Sequence, residues 1–228
     1  MTEREIRKYI DRLNNGKASE SIFTRQISEN VDVAKVWKKQ PKMTDDIIGN
    51  FSSYRFFFIK NEFSKYVGAV LDMEDDLHWY VNPKSRKKGY LTTALKESIL
   101  PYLFYDERKS QRITIEKNAI GEKNYLNSKG VALKLGFKAI NEMETEFELK
   151  QIDFNWDNEN LEEINPVTSP ERFEELRKRA FYAYKILYKI SDELLMTVSD
   201  DHELKEVADE VRQYTHKIAD LEWANKKR

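Results

Sequence analysis

Arg86, Lys87 and Lys88 stand directly before Gly89, and Gly89 opens a run with apolar residues at helical spacing, Leu91, Leu95, Ile99 and Leu103. Such a stretch holds phosphate. The first N–H groups of a helix have no intrahelical acceptor, and the macrodipole makes that end partly positive. Glycine permits a close approach to the backbone that a Cβ would block. Upstream, Trp79-Tyr80-Val81 suits a pleated strand, and Asn82-Pro83 ends it because proline has no N–H for a ladder. The spacing predicts strand, basic turn and helix, with an anion seated on the N–H groups of residues 87–92. A basic, solvated loop is the plainer alternative.

The elements that must position this turn follow from periodicity. Residues 3–14 place Ile6, Ile10 and Leu13 among charges, a short amphipathic helix closed by Asn14-Asn15-Gly16. Residues 22–27 read as a strand. Val31, Ala34, Val36 and Trp37 read as a helix stopped before Pro41, and a second short helix is expected over 44–48. Three strands follow at 54–59, 66–71 and 77–81, close enough for an antiparallel meander. Beyond the helix at 90–104, Arg112-Ile113-Thr114-Ile115-Glu116 alternates as a fifth strand, and 137–140 and 145–149 complete a set of seven.

The chain has 228 residues, with 35% charged side chains against about 25% in an average domain. That balance suits a modest core with long solvated helices. The formal net charge of −1 gives no reason to expect nucleic acid or an anionic membrane as partner. No run approaches the ~18 apolar residues of a membrane span. Cysteine is absent, which removes disulfides and thiolate chemistry and fits a cytoplasmic location. The three histidines are not spaced with other ligands as zinc motifs require, so no metal is expected.

Arg86-Lys87-Lys88-Gly89-Tyr90-Leu91 resembles the acyl-CoA-binding signature of the GNAT acetyltransferases, Arg/Gln-x-x-Gly-x-Gly/Ala, with Leu91 in place of the usual small residue. Gly89 to Leu95 and the preceding Tyr80-Val81-Asn82-Pro83 are similar to the branch of ribosomal-protein N-terminal and spermidine acetyltransferases. Ser128 to Phe137 resembles the family's last core helix, with Ser128 expected as N-cap and Gly136 in the left-handed position after the helix. The resemblance covers about residues 22–150. It implies an α/β (α+β) fold with a mixed sheet of about seven strands, within a domain over 1–150. It also implies acetyl-CoA as cosubstrate, bound through Arg86, Lys87, Lys88, Gly89, Leu91, Thr92 and Ser128, and a backbone N–H at Val81 as oxyanion donor. Two positions depart from the pattern: Tyr125 stands where the family has an asparagine, and Ala132 where many members have a tyrosine acid. The acid role then falls to Tyr125, Ser128 or water.

Acetyl transfer also needs a neutral amine, whereas a lysine-type amine titrates near 10.4. Glu116 is the leading base, since the resemblance places the end of its strand on the acceptor side; His78 is the second choice, and Tyr80 is expected to shape the acceptor pocket. A solvated strand-end Glu116 and a packing His78 are the plainer alternatives. The cluster Asp72-Met73-Glu74-Asp75-Asp76 reads as an acidic hairpin turn that could also attract a cationic amine.

After Leu149 the composition turns acidic, and 151–170 is expected to be a linker lying on or near the domain. Over 171–228, Phe173 to Leu194 and Leu204 to Leu221 step by three and four, which predicts a two-helix appendage. Two such helices cannot hide their stripes alone. Their cover is their own domain, a second copy in a homodimer, or a substrate. Two functions are consistent with these readings: an N-acetyltransferase acting on a protein N-terminus, polyamine or small-molecule amine, and a non-catalytic acyl-CoA-binding or interaction module that works through its helices.

Overall fold

Phe56, Phe57 and Phe58 are consecutive and all fully buried. Neighbouring residues of a strand point to opposite faces, so this strand must be covered on both. The computed structural model describes residues 1–18, 20–46, 53–162 and 168–226, and shows how. Chain contacts divide it into two units, Met1–Asn165 and Pro166–Arg228.

The first unit is built on an eight-stranded mixed sheet in the order β1-β2-β3-β4-β5-β6-β8-β7. Strands β1 (Ile22–Ser28), β2 (Val31–Val36), β3 (Tyr54–Lys60), β4 (Tyr66–Met73) and β5 (Asp76–Val81) form an antiparallel meander. Strand β6 (Ser110–Thr114) lies parallel to β5, and β8 (Glu146–Lys150) and β7 (Lys138–Ala139) close the far edge in antiparallel pairing. Helix α1 (Glu3–Asn14) covers one face with Ile6, Tyr9 and Ile10, which pack with Phe56, Phe58, Ala69, Leu71 and Tyr80. It starts on a capping box between Thr2 and Glu5. The other face is covered by α2 (Tyr90–Ala94), a π-helical turn (Leu95–Ile99) and α3 (Leu100–Tyr105), a continuous run, and by α5 (Glu122–Lys134). The π-turn has a local cause. Pro101 offers no N–H to the Glu97 carbonyl, and that carbonyl instead accepts from Asn160 N–H at 2.8 Å.

Three local expectations change. Residues 31–36 are a strand, not a helix, which raises the sheet from seven strands to eight. The two-residue turn Glu29-Asn30 joins Ser28 to its partner Val31, and the β-branched Val31, Val33 and Val36 suit the pleat. Residues 44–46 are not helical, and 47–48 lie outside the described residues. Ser128 sits inside α5, which begins six residues earlier at Glu122 after Gly121, so it caps nothing; Gly136 does take the left-handed conformation after the helix, with φ +92°.

The acidic segment lies on the first unit as far as residue 162, with Phe154 buried beside Phe104 and Glu162 N–H bonded to the Ile27 carbonyl; residues 163–167 are outside the description. The acidic hairpin between β4 and β5 is occupied structurally. Asp72 is held by Arg55 at 2.6 Å and by both terminal nitrogens of Arg108 at 3.1 Å.

The second unit is a helical pair, α6 (Pro170–Thr197) and α7 (Leu204–Lys226). Lys205 stacks over Tyr188 and Arg212 over Tyr184, while Asn225 donates to the Thr168 carbonyl at 3.0 Å, so the two helices run antiparallel. Only Ser191 and Ala208 are buried along their seam, where small side chains let the backbones approach. No described helix is long and apolar enough to cross a membrane.

Candidate functional site

Parallel pairing between β5 and β6 consists of a single bridge, Asp76 with Arg112. Beyond it the strands separate. Asp76 contributes to this, because its Oδ1 accepts from Leu77 N–H and from Thr114 N–H, each at 2.9 Å. A side chain thus stands where a further main-chain bond would continue the ladder. A cleft of about 800 Å³ opens between the two strands, bounded also by α2, α5 and the start of α1.

Strand alternation decides which main-chain groups face this cleft. Asn82 N–H bonds back to Val67 of β4, and the Asp75 carbonyl accepts from Arg112 of β6. Even-numbered residues of β5 therefore turn their main-chain groups to β4, and Leu77, Trp79 and Val81 turn theirs to the opening. The Val81 carbonyl accepts from Arg86 Nε at 3.0 Å. The N–H groups of Trp79 and Val81 are left aimed into the gap.

Side chains alternate in the same way. The Asp76–Arg112 bridge sets His78 and Tyr80 on the same sheet face as Thr114, and Glu116, in extended backbone two residues later, continues that face. Glu116 is the N-terminal flanking residue of α4 (Lys117–Ile120), past the end of β6, and is exposed. Its side chain caps nothing there. His78 is half-buried, its Nε2 finds no hydrogen-bond partner among the described residues, and burial pushes the imidazole below its ordinary pKa. The neutral ring is the favoured form.

At the head of α2, Gly89 takes φ +86°, ψ −17°, and Lys87 is also left-handed at φ +62°. A Cβ added at Gly89 would meet nothing nearer than Thr93 Oγ1 at 4.0 Å, so the space over this glycine is open. The first intrahelical bond is Thr93 N–H to the Gly89 carbonyl at 3.0 Å, which leaves the N–H groups of Tyr90, Leu91 and Thr92 without intrahelical acceptors. Arg86 is braced by its bond to Val81 and by a long contact of 3.4 Å to Asn124 of α5. On the opposite wall, Trp79 Nε1 donates to Ser128 Oγ at 3.4 Å.

Of the residues singled out in the sequence, His78, Tyr80, Val81, Arg86, Lys87, Gly89, Leu91, Thr92, Glu116 and Ser128 all line the cleft. Lys88 does not; it is exposed beside the turn. Tyr125 is turned away, its hydroxyl donating to the Glu144 carbonyl at 3.0 Å, and Ala132 is fully buried. Asp72 and Asp76 lie outside the lining. Sequence reasoning missed Glu3, brought in by α1, and gave no role to Tyr90, whose hydroxyl donates to Glu62 at 2.5 Å. No short-range signal marks Glu3, because its place depends on the packing of α1 across β4 and β5. No family model and no curated protein matches the sequence.

Proposed function

We propose that this chain is an acetyl-CoA-dependent N-acetyltransferase of GNAT type that acts on a primary amine. The observation that carries the reading is the splay of β5 from β6, with a basic glycine turn and helix start at one wall of the cleft and Glu116 and His78 at another. The resemblance of residues 86–95 to the acyl-CoA signature supports the same assignment.

In this reading the pyrophosphate rests on the N–H groups of residues 87–92, with Arg86 and Lys87 adding charge. Because Arg86 is tied to the Val81 carbonyl, phosphate binding and the edge of β5 are held as one rigid piece. The thioester lies along the open edge of β5, where Val81 N–H donates to the carbonyl oxygen as negative charge develops on it. The amine nitrogen attacks the carbonyl carbon. A C–N bond forms, the C–S bond breaks, and the electron pair leaves with sulfur. Glu116 takes the amine proton directly or through water, with neutral His78 on the same face as the second acceptor. Glu3 and Glu116 together favour a cationic acceptor, whether a protein N-terminus, a polyamine or a smaller amine. Ser128 or water returns a proton to the thiolate, since Tyr125 is engaged elsewhere.

That engagement of Tyr125, with Ala132 buried, also favours a second reading, a non-catalytic acyl-CoA-binding module. Calorimetry with acetyl-CoA and thiol-release assays on a panel of primary amines separate the two. Binding with turnover is expected. Binding without turnover on any amine selects the module, and no binding removes both.

A further inference from the structure

The outer face of α7 carries Val207, Glu210, Tyr214, Lys217 and Leu221. Val207, Tyr214 and Leu221 are spaced by seven, a repeat that keeps residues on one side of a helix with a drift of only ~20°. They are 47%, 55% and 61% exposed in the chain, whereas Leu204, Ala208, Val211 and Ile218 on the adjoining side of the helix are buried or half-buried. The stripe spans about 21 Å of helix at a rise of about 1.5 Å per residue. Glu210 and Lys217 are both exposed, sit seven apart and so cannot pair within one helix, and form no ion pair among the described residues.

The order of this stripe is symmetric about its centre: apolar, acid, tyrosine, base, apolar. Lay a second copy of α7 antiparallel across the first with the two-fold axis at Tyr214. Val207 then meets Leu221 of the second copy, Glu210 meets its Lys217, and Tyr214 meets itself. Each contact recurs on the other side of the axis, as an isologous interface requires. A foreign partner would have no need of a pattern complementary to itself. Lys217 already stands 4.3 Å from the Tyr214 ring centroid, so the cation is held at the axis before association.

We infer that α7 is the seam of a homodimer, an antiparallel pair of α7 helices centred on Tyr214 that turns two helical hairpins into one four-helix bundle. This stands independently of the acetyltransferase reading.

Sedimentation of the full chain should show a dimer at about 50 μM, a concentration that populates any dimer of micromolar or tighter dissociation constant. Glu210→Lys places like charges on both sides of the axis and should weaken association about tenfold, as should Lys217→Glu. The double variant Glu210→Lys/Lys217→Glu restores opposite charges and should recover the dimer. The chain has no cysteine, so Tyr214→Cys introduces the sole thiol. Mild oxidation should then yield a disulfide-linked dimer, whereas Val207→Cys alone should not, because position 207 faces position 221. Circular dichroism confirms that each variant keeps its helix content. A monomeric wild type, a charge swap that fails to restore association in a folded variant, or equal cross-linking at 207 and 214 would each overturn the inference.

Discussion

Replacing Gly89 separates what the turn does for the fold from what it does for a ligand. At φ +86° an alanine sits in the left-handed region, which costs about 1 kcal/mol or somewhat more. No collision adds to this, since the nearest atom to a new Cβ is Thr93 Oγ1 at 4.0 Å. Gly89→Ala should therefore lower the melting temperature by only about 2–4 °C per kcal/mol for a chain of this size. The ligand has more at stake. If a pyrophosphate packs against this glycine and the free N–H groups of Tyr90, Leu91 and Thr92, the added carbon occupies its approach. Acetyl-CoA affinity should fall by well over tenfold, more than about 1.4 kcal/mol, and Gly89→Val should exceed Gly89→Ala. Scanning fluorimetry reads the first quantity and calorimetry the second. A folded Gly89→Val variant with wild-type affinity would refute the placement of the anion, whatever turnover is measured.

Three other outcomes follow from the same geometry. Glu116→Gln should reduce kcat/KM by about 10²-fold at neutral pH and recover much of the loss at high pH, where the amine deprotonates unaided; wild-type activity at neutral pH would transfer the role to His78 or solvent. Asp72→Ala removes the carboxylate that Arg55 and Arg108 share, leaving Arg55 to Asp106 and Arg108 to Gln111, and should cost about 1.5–3 kcal/mol in urea unfolding, while acetyl-CoA affinity of the folded fraction stays unchanged because Asp72 lies outside the cleft. His78 has a folded pKa below its unfolded value near 6.5, so below that pH the unfolded chain binds more protons and stability falls as the solution becomes more acid. Unfolding of His78→Gln from pH 7 to 5 should show a shallower decline, and an unchanged slope would remove His78 as the cause.

The turn at residues 86–89 and the helix after it were legible because both signals are local: a glycine able to adopt positive φ, and apolar residues at a spacing of four. The meander over 54–81 was equally local. Residues 31–36 were not, because Val31, Ala34 and Trp37 fit a three-residue step while Val31, Val33 and Val36 suit a strand. The better signal was the Glu29-Asn30 turn, which pairs Ser28 with Val31. Ser128 misled in a different way. A serine before an apolar run reads as a cap, yet the helix begins earlier, at Glu122 after Gly121, and Ser128 instead accepts from Trp79 across the cleft. Glu3 had no signal at all, because it reaches the site through the packing of a whole helix.

The cleft itself depends on a residue that does not line it. Parallel strands can pair along their whole length, and the Val81 edge is available only because β6 leaves β5 after one bridge. Asp76 accepts two main-chain N–H groups with one carboxylate oxygen, one from its own strand and one from β6. That bond anchors Thr114 to a side chain and lets the chain depart through Ile115 and Glu116 into α4, while Thr145, the residue before β8, still holds Ile115 N–H with its carbonyl at 2.7 Å. The acidic cluster at the β4–β5 hairpin thus has two structural duties. Asp72 locks the base of the sheet through two arginines, and Asp76 sets the point from which the strands diverge. An aspartate suits the second task because a short side chain with an acceptor-only head can replace a ladder carbonyl without filling the gap beyond it. The geometry of this wall of the cleft, with Thr114 and Glu116 on the face of His78 and Tyr80, is fixed at that divergence and carried outward by strand alternation alone.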